Sequence, residues 1–403
     1  VIPAQATATA GPGSAGPRPG ALFANYDARL IWLTLFMLGA GLVMMTSASV
    51  TIAERGFQEP LYYFWRQLAN CTLGLALGYG AMHLRLDLLR RLDWALLLLG
   101  ILLLALILVP GLGREVNGST RWLRLGPVSL QASEPMKIFM VIYLAGYLER
   151  RRYLVRRTLQ GFFLPLCLLA VVCILLLLEP DYGATAVLAA TALGMLFVGG
   201  VSVLRSLFWT AATVAAMFTL AVLSPYRLQR MISFLDPWQD PFDQGFQLTQ
   251  ALIAFGRGGW FGEGLGGGLQ KLFYLPEAHT DFVFAIIAEE LGFLGSVATI
   301  LAFYLLVSRC FAIAARAATA GRRFAAYLCY GVGLLLGIQT FVNIGVNTGL
   351  LPTKGLTLPL ISYGGNSLMS SLVILGLLIR CSLESTGLIG GRSNGRQRSL
   401  RQR

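Results

Sequence analysis

The feature that most limits what this chain can become is a succession of apolar runs like GFFLPLCLLAVVCILLLL, residues 161–178, which carries no charged residue. A run of about 18 residues or more is long enough to cross roughly 30 Å of hydrocarbon as a helix. Inside lipid each backbone N–H and C=O needs a partner from the chain itself, so these runs must be helical. The reading predicts spans at 30–49, 63–82, 93–110, 132–149, 161–178, 183–200, 205–224, 286–308, 324–345 and 366–382. The fold class is therefore all-α: a polytopic membrane protein with about ten transmembrane helices and a large structured extracytoplasmic loop. A mean hydropathy of +0.68 with 13% charged residues excludes an ordinary soluble globule.

An even number of spans puts both termini on one side. Placing them inside assigns about two-thirds of the 32 Lys and Arg residues to cytoplasmic segments, as the positive-inside bias requires. Arg85/Arg90/Arg91, the run Arg150–Arg152 and Arg316/Arg322/Arg323 all fall there. Residues 1–28, rich in Ala, Gly and Pro, are expected to form a disordered cytoplasmic tail. They lack the basic start and apolar core of a cleaved signal, so the first span is expected to serve as the anchor. Residues 29–382 make the membrane domain, and 383–403 a basic cytoplasmic tail suited to anionic lipid. The net charge of +13 is mostly this topology signal. Nucleic-acid binding is disfavoured, because no basic face interleaved with aromatics stands outside the membrane. The 6 cysteines lie in or beside apolar runs without metal or pairing spacing, and read as small packing residues.

Function should sit on the outer face, where segments 111–131, 225–285 and 346–365 are long or polar. The loop at about 225–285 is too long for a connector. It contains GFQLTQALIAFG, which suits a short amphipathic helix, and then GRGGWFGEGLGGG, a tightly turned or mobile segment. No strand precedes those glycines and no Gly-Lys-Ser/Thr follows, which argues against a nucleotide-phosphate loop.

At the end of this loop YLPEAHTDFVF gathers Glu277, His279 and Asp281 at the lip of a span. A helix from Asp281 to Arg309 would exceed what hydrocarbon needs, leaving Asp281 about 12 Å above it, at headgroup height. Two readings of Asp281 stay open on these residues: a helix cap, shared with Thr280, or a functional carboxylate. His279 has no partner at metal spacing and reads first as a structural side chain. The Glu289–Glu290 pair is expected at the interface, with one of the two able to face the bundle interior.

Three further constellations face the same side. GREVNGSTRWLRLGPVSLQASEPMK sets Arg114, Arg121 and Arg124 against the topology bias, which asks for an anionic partner. In it Glu134 and Lys137, three apart, share a helix face and favour a structural ion pair. EPDYGAT joins two spans, with Asp181 suited to the turn. NTGLLPTKGLTLPLISYGGNS holds Lys354 between Pro352 and Pro359 and ends with Ser362 beside the closing glycines. No Ser-His-Asp order and no metal motif occurs. A carboxylate base with cations suits sugar transfer from a lipid diphosphate: the base takes a hydroxyl proton and the cations steady the leaving group.

These four segments, in this order, resemble the SEDS (FtsW/RodA/SpoVE) family of bacterial cell-wall proteins over about residues 30 to 382. The wording LPTKGLTLPLISYGG is more similar to the division branch than to the elongation branch. The resemblance implies a peptidoglycan glycosyltransferase, located in the bacterial inner (plasma) membrane at the division septum, that polymerises lipid II. In it Asp281 matches the family's essential aspartate and is implied to be the general base on the acceptor hydroxyl. Arg114, Arg121, Lys137 and Lys354 become candidate diphosphate or donor contacts, with Glu134 orienting Lys137, and His279 and Ser362 are further substrate-binding candidates. The implied partners are a class B penicillin-binding protein (an FtsI-type transpeptidase) and other divisome membrane proteins. The cofactor is open. No metal ligands are assigned, yet Mg²⁺ or Mn²⁺ keeps waters and needs few protein ligands. A lipid II flippase and a non-catalytic divisome scaffold are the competing readings.

Overall fold

The computed structural model describes residues 26–116, 119–125, 128–222, 233–239, 241–243, 245–272, 274–352 and 355–386. Most of the predicted N-terminal tail, Lys354, and the basic tail from residue 387 onward lie outside the described residues.

Ten long helices match the ten predicted spans in order. They are α1 (Ala28–Phe57), α2 (Tyr62–His83), α4 (Asp93–Ile107), α5 (Ser133–Arg157), α6 (Leu159–Leu178), α7 (Tyr182–Val198), α8 (Val203–Val222), α10 (Val283–Thr319), α11 (Arg323–Asn347) and α12 (Gly365–Ser385). Two shorter helices join them: α3 (Leu86–Arg91) after α2, and α9 (Phe246–Gly258), which is the amphipathic segment expected in the large loop. Five helices, α1, α6, α10, α11 and α12, are long and apolar enough by themselves to cross a membrane, while α4, α7 and α8 are shorter apolar helices. Helix α5 is too polar to qualify alone. Most of its charge lies in the exposed last turns at Arg150–Arg157, while nearly every side chain from Ser133 to Leu148 is buried among its neighbours α4, α6, α7 and α11.

Helices α2 and α12 make the most intimate pair. A Cβ on Gly78 would stand 2.7 Å from the Leu372 carbonyl oxygen, so only glycine lets the two backbones meet.

Residues 111–131 are not a plain loop. They form an antiparallel meander of β1 (Gly113–Val116), β2 (Ser119–Leu125) and β3 (Val128–Gln131), with Arg114 opposite Trp122 and Trp122 opposite Gln131. STRWLRL is short and carries two arginines, so a count of apolar runs passes over it, and its strand character rests on pairing with both neighbours. The sheet roofs the bundle: Asn366 at the start of α12 donates to the Ser129 carbonyl at 3.0 Å, and Arg121 donates to the Pro180 carbonyl at 2.7 Å in the α6–α7 hairpin.

Candidate active site

The residues around Asp281 are set by a polar stripe on an otherwise apolar helix. Gln339, Asn343 and Asn347 follow one another at four-residue spacing on α11, so they share a face. Asn343 and Asn347 each donate to the backbone carbonyl of Asp281 at 2.9 Å. Asn343 also donates to the Leu356 carbonyl, and Gln339 donates to the Thr357 carbonyl at 3.0 Å. The Ala285 N–H in turn donates to the Asn347 side-chain oxygen at 3.1 Å. Three amides thereby clamp the turn before α10 against the 355–357 segment. A Cβ placed on Gly355 would lie 2.8 Å from Asp281 Oδ2, which shows how closely that segment passes the carboxylate.

Asp281 is not a cap. Phe282 occupies the cap position of α10 without any side-chain cap bond, and Thr280 bonds back to Glu277. Among the described residues no hydrogen bond or ion pair engages the Asp281 carboxylate, and the residue is partly exposed. Burial pushes its pKa up to about 7, helped by the charges of Glu277 and Asp181 and opposed by Arg121. A carboxylate in that range exchanges protons near neutrality.

The α6–α7 hairpin brings two more acids to this rim. Asp181 accepts the Ala184 N–H at 3.1 Å and so caps α7, as the turn reading expected, while its Oδ2 is buried with no partner. Glu179 is fully buried with both oxygens unpartnered, and burial raises its pKa to about 8, with Asp181 adding and Arg121 subtracting.

The other sequence candidates divide. Arg121 is brought to the rim, its charge felt by both Asp281 and Glu179. Arg114 is exposed on β1. His279 is buried between Tyr63 and Tyr363, with ring centroids at 4.9 and 5.5 Å. Burial lowers its pKa, and the neutral ring packs as a wedge. Lys137 and Ser362 both have partners inside the bundle, and Glu134 and Lys137 form the ion pair that their spacing suggested. The Lys137 ammonium, 3% exposed, donates to Glu134 and to Gln339, both at 3.0 Å. Ser362 Oγ accepts the Leu358 N–H at 2.9 Å and closes a turn. Glu289 and Glu290, expected at the interface, are both fully buried. The clamp residues Asn343 and Asn347 were missed. Their signal was present as two amides four apart inside QTFVNIGVN, in a helix where each polar group needs a partner.

Among the described residues no group of three or more His, Cys, Asp or Glu side chains could hold a metal ion. A Mg²⁺ or Mn²⁺ ion here would rest on one or two carboxylates, its own waters and the phosphates of a ligand.

A polytopic helical bundle with a carboxylate at one rim that has no bonded partner among the described residues, roofed by a sheet and clamped from a central helix, is an architecture suited to a membrane-embedded transferase site. Comparison with known proteins narrows the class. The profile of the "Cell cycle protein" family of FtsW, RodA and SpoVE matches residues 28–387, and this chain belongs to that family. The probable peptidoglycan glycosyltransferase FtsW of Nitrosococcus halophilus is 53% identical over 89% of this chain and 92% of its own length. That of Halorhodospira halophila is 47% identical over 98% of both. Among solved structures, a chain of a peptidoglycan synthase complex that coordinates polymerization and crosslinking aligns with a TM-score of 0.74 at 33% identity, covering 89% of this chain and 98% of that one. The rod shape determining protein RodA of Thermus thermophilus aligns with a TM-score of 0.66 at 31% identity, covering 89% of this chain and 96% of that one.

Proposed function

We propose that this chain is a peptidoglycan glycosyltransferase that polymerises lipid II into glycan strands, with Asp281 as general base. The observation that carries the assignment is a partly exposed carboxylate with no bonded partner among the described residues, its backbone fixed by two asparagines. Asp281 accepts the proton of the 4-hydroxyl on the GlcNAc of an acceptor lipid II. The oxygen so freed forms its bond to the anomeric carbon of the donor's terminal MurNAc. The bond from that carbon to the diphosphate breaks, undecaprenyl diphosphate leaves with the electron pair, and the centre inverts.

Arg121, already on the rim, supplies positive charge toward the diphosphate, and Arg114 and Lys354 are further candidates for that role. Glu134 acts on the site indirectly, by holding Lys137 against Gln339 in the clamp. A bound Mg²⁺ or Mn²⁺ would add charge neutralisation at the diphosphate. The reading places both termini in the cytoplasm and the site outside the inner membrane, at the septum. It pairs the chain with a class B penicillin-binding protein that crosslinks the product, alongside other divisome membrane proteins.

The test is polymerisation of labelled lipid II in liposomes by wild type and Asp281→Asn, each with and without such a partner. Glycan strands from the wild type and none from the variant support the reading. Transbilayer movement of lipid II without polymer would replace it with transport, and full cell division supported by Asp281→Asn would replace it with scaffolding.

A further inference from the structure

The glycine-rich segment after α9 does not float above the bundle. It is built into a break in α10. Gly292 sits at φ 67°, outside helical geometry, which frees backbone groups of the helix on either side. The loop satisfies them. The N–H groups of Glu263 and Gly264 donate to the carbonyls of Glu289 and Glu290, both at 3.0 Å, and those of Phe293 and Leu294 donate to Gly259 and Trp260 at 2.9 and 3.2 Å. Non-helical backbone is tolerated at membrane depth only under this kind of internal pairing.

Two buried acids fasten the loop from below. Glu289 accepts the N–H groups of Leu269 and Gln270 and meets Arg257 Nε at 3.4 Å. Glu290 accepts from Lys271 Nζ at 2.6 Å and from Ser47 Oγ on α1 at 2.7 Å.

The depth of this cradle can be read from the helices themselves. At the other end of the bundle Asp27, before α1, is paired with Arg309 of α10 at 2.7 Å. From Asp27 up α1 to Ser47 the rise is about 30 Å, and from Arg309 up α10 to Phe293, just short of the break, it is about 24 Å. Glu290 lies beyond the break and is bonded to Ser47, so the unbroken α1 sets the spacing between the charged layers. Between the layers, residues 30–46 and 291–308 contain no charged side chain. That spacing is about the thickness of bilayer hydrocarbon, roughly 30 Å.

The glycine loop therefore lies at the hydrocarbon boundary on the Asp281 side. Its apolar side chains are the ones left uncovered: Trp260 is 69% exposed, Phe261 80% and Leu265 62%. Trp260 stacks edge-on against Phe293 at 5.2 Å, which continues the patch onto the exposed flank of α10.

We infer that residues 259–265 are a membrane-seated hook, with Trp260 and Phe261 inserted at the boundary between acyl chains and headgroups of the bilayer leaflet on the Asp281 side. The occupant of the patch is lipid, because the depth set by the two charged layers is where amphipathic indole rings such as that of Trp260 are enriched, and the fully apolar Phe261 and Leu265 beside it suit the acyl chains. The hook is independent of the chemistry proposed above and would hold for a transporter or scaffold with the same fold.

The test uses the full chain in nanodiscs and takes the difference in tryptophan emission between wild type and Trp260→Phe as the share of Trp260. Lipids brominated near the glycerol end of the acyl chain should cause a loss of that share, more than lipids brominated near the methyl end, and aqueous iodide should leave it unchanged. A Lys271→Met variant, which loosens the cradle, should exchange lipid quenching for iodide quenching. Quenching of the wild-type share by iodide alone would place the loop in water and overturn the proposal. So would protection from both quenchers, which would mean that a protein surface covers the patch.

Discussion

Asp281 is legible twice, once as chemistry and once as geometry, and the two are not equally informative. The sequence leaves it balanced between cap and base; the structure removes the cap and shows the charges that tune it. Replacing it by Asn keeps shape and removes basicity, so polymerisation should fall by about 10²- to 10⁴-fold, the usual worth of a positioned base. Unchanged melting behaviour of the variant would exclude misfolding as the cause. The pH dependence has a defined sign. A base with a pKa near 7 is protonated below that value, so the rate should rise through about pH 7 and level off above it. Glu277 raises that pKa by its negative charge, so Glu277→Gln should move the rising limb to lower pH, and Arg121→Gln should move it to higher pH. A pH–rate profile that stays put in both variants would show that another group is titrating. Lys137 shows how far residue-level reading reaches: its spacing from Glu134 foretells their ion pair, but not the third partner, Gln339, which comes from a helix some 200 residues away.

At the scale of elements, α11 does more than cross the membrane. Its stripe of three amides joins the Asp281 turn, the 355–357 segment and the Glu134–Lys137 pair of α5 into one network. Asn343→Leu would take the side-chain donor from the Leu356 carbonyl, at roughly 1–3 kcal/mol for a buried unsatisfied group, and leave the Asp281 carbonyl to Asn347 alone. Its turnover should fall while lipid II binding holds, because the carboxylate loses one of its two anchors and not its charge. Loss of binding with unchanged turnover would argue against a positioning role. Lys137→Met strands Glu134 in the interior and should cost about 3–5 kcal/mol, whereas the paired change Glu134→Gln with Lys137→Met should recover much of it. Thermal unfolding of the two variants in detergent decides the point. Helix number and order were readable because each apolar run must hide its own backbone from lipid. The sheet, the break at Gly292 and the clamp were not, because each depends on contacts between segments far apart in the chain.

For the whole molecule, the sequence supplied the list of spans but not which spans touch. Apolar runs are alike to lipid, so neighbours are chosen by small residues and buried polar pairs that look ordinary in one dimension. Cutting the chain before α12 should therefore cost more than its position near the C-terminus suggests. Pulse-chase analysis should find the truncated protein cleared faster than the full chain. The glycine face shared by α2 and α12 explains why. Gly78 reaches the membrane early in synthesis; Gly376, where a Cβ would collide with the Gly78 carbonyl, emerges about 300 residues later, some 15–60 s at ordinary translation rates. For that interval α2 has an open seam with no mate, so this part of the bundle closes only when α12 arrives.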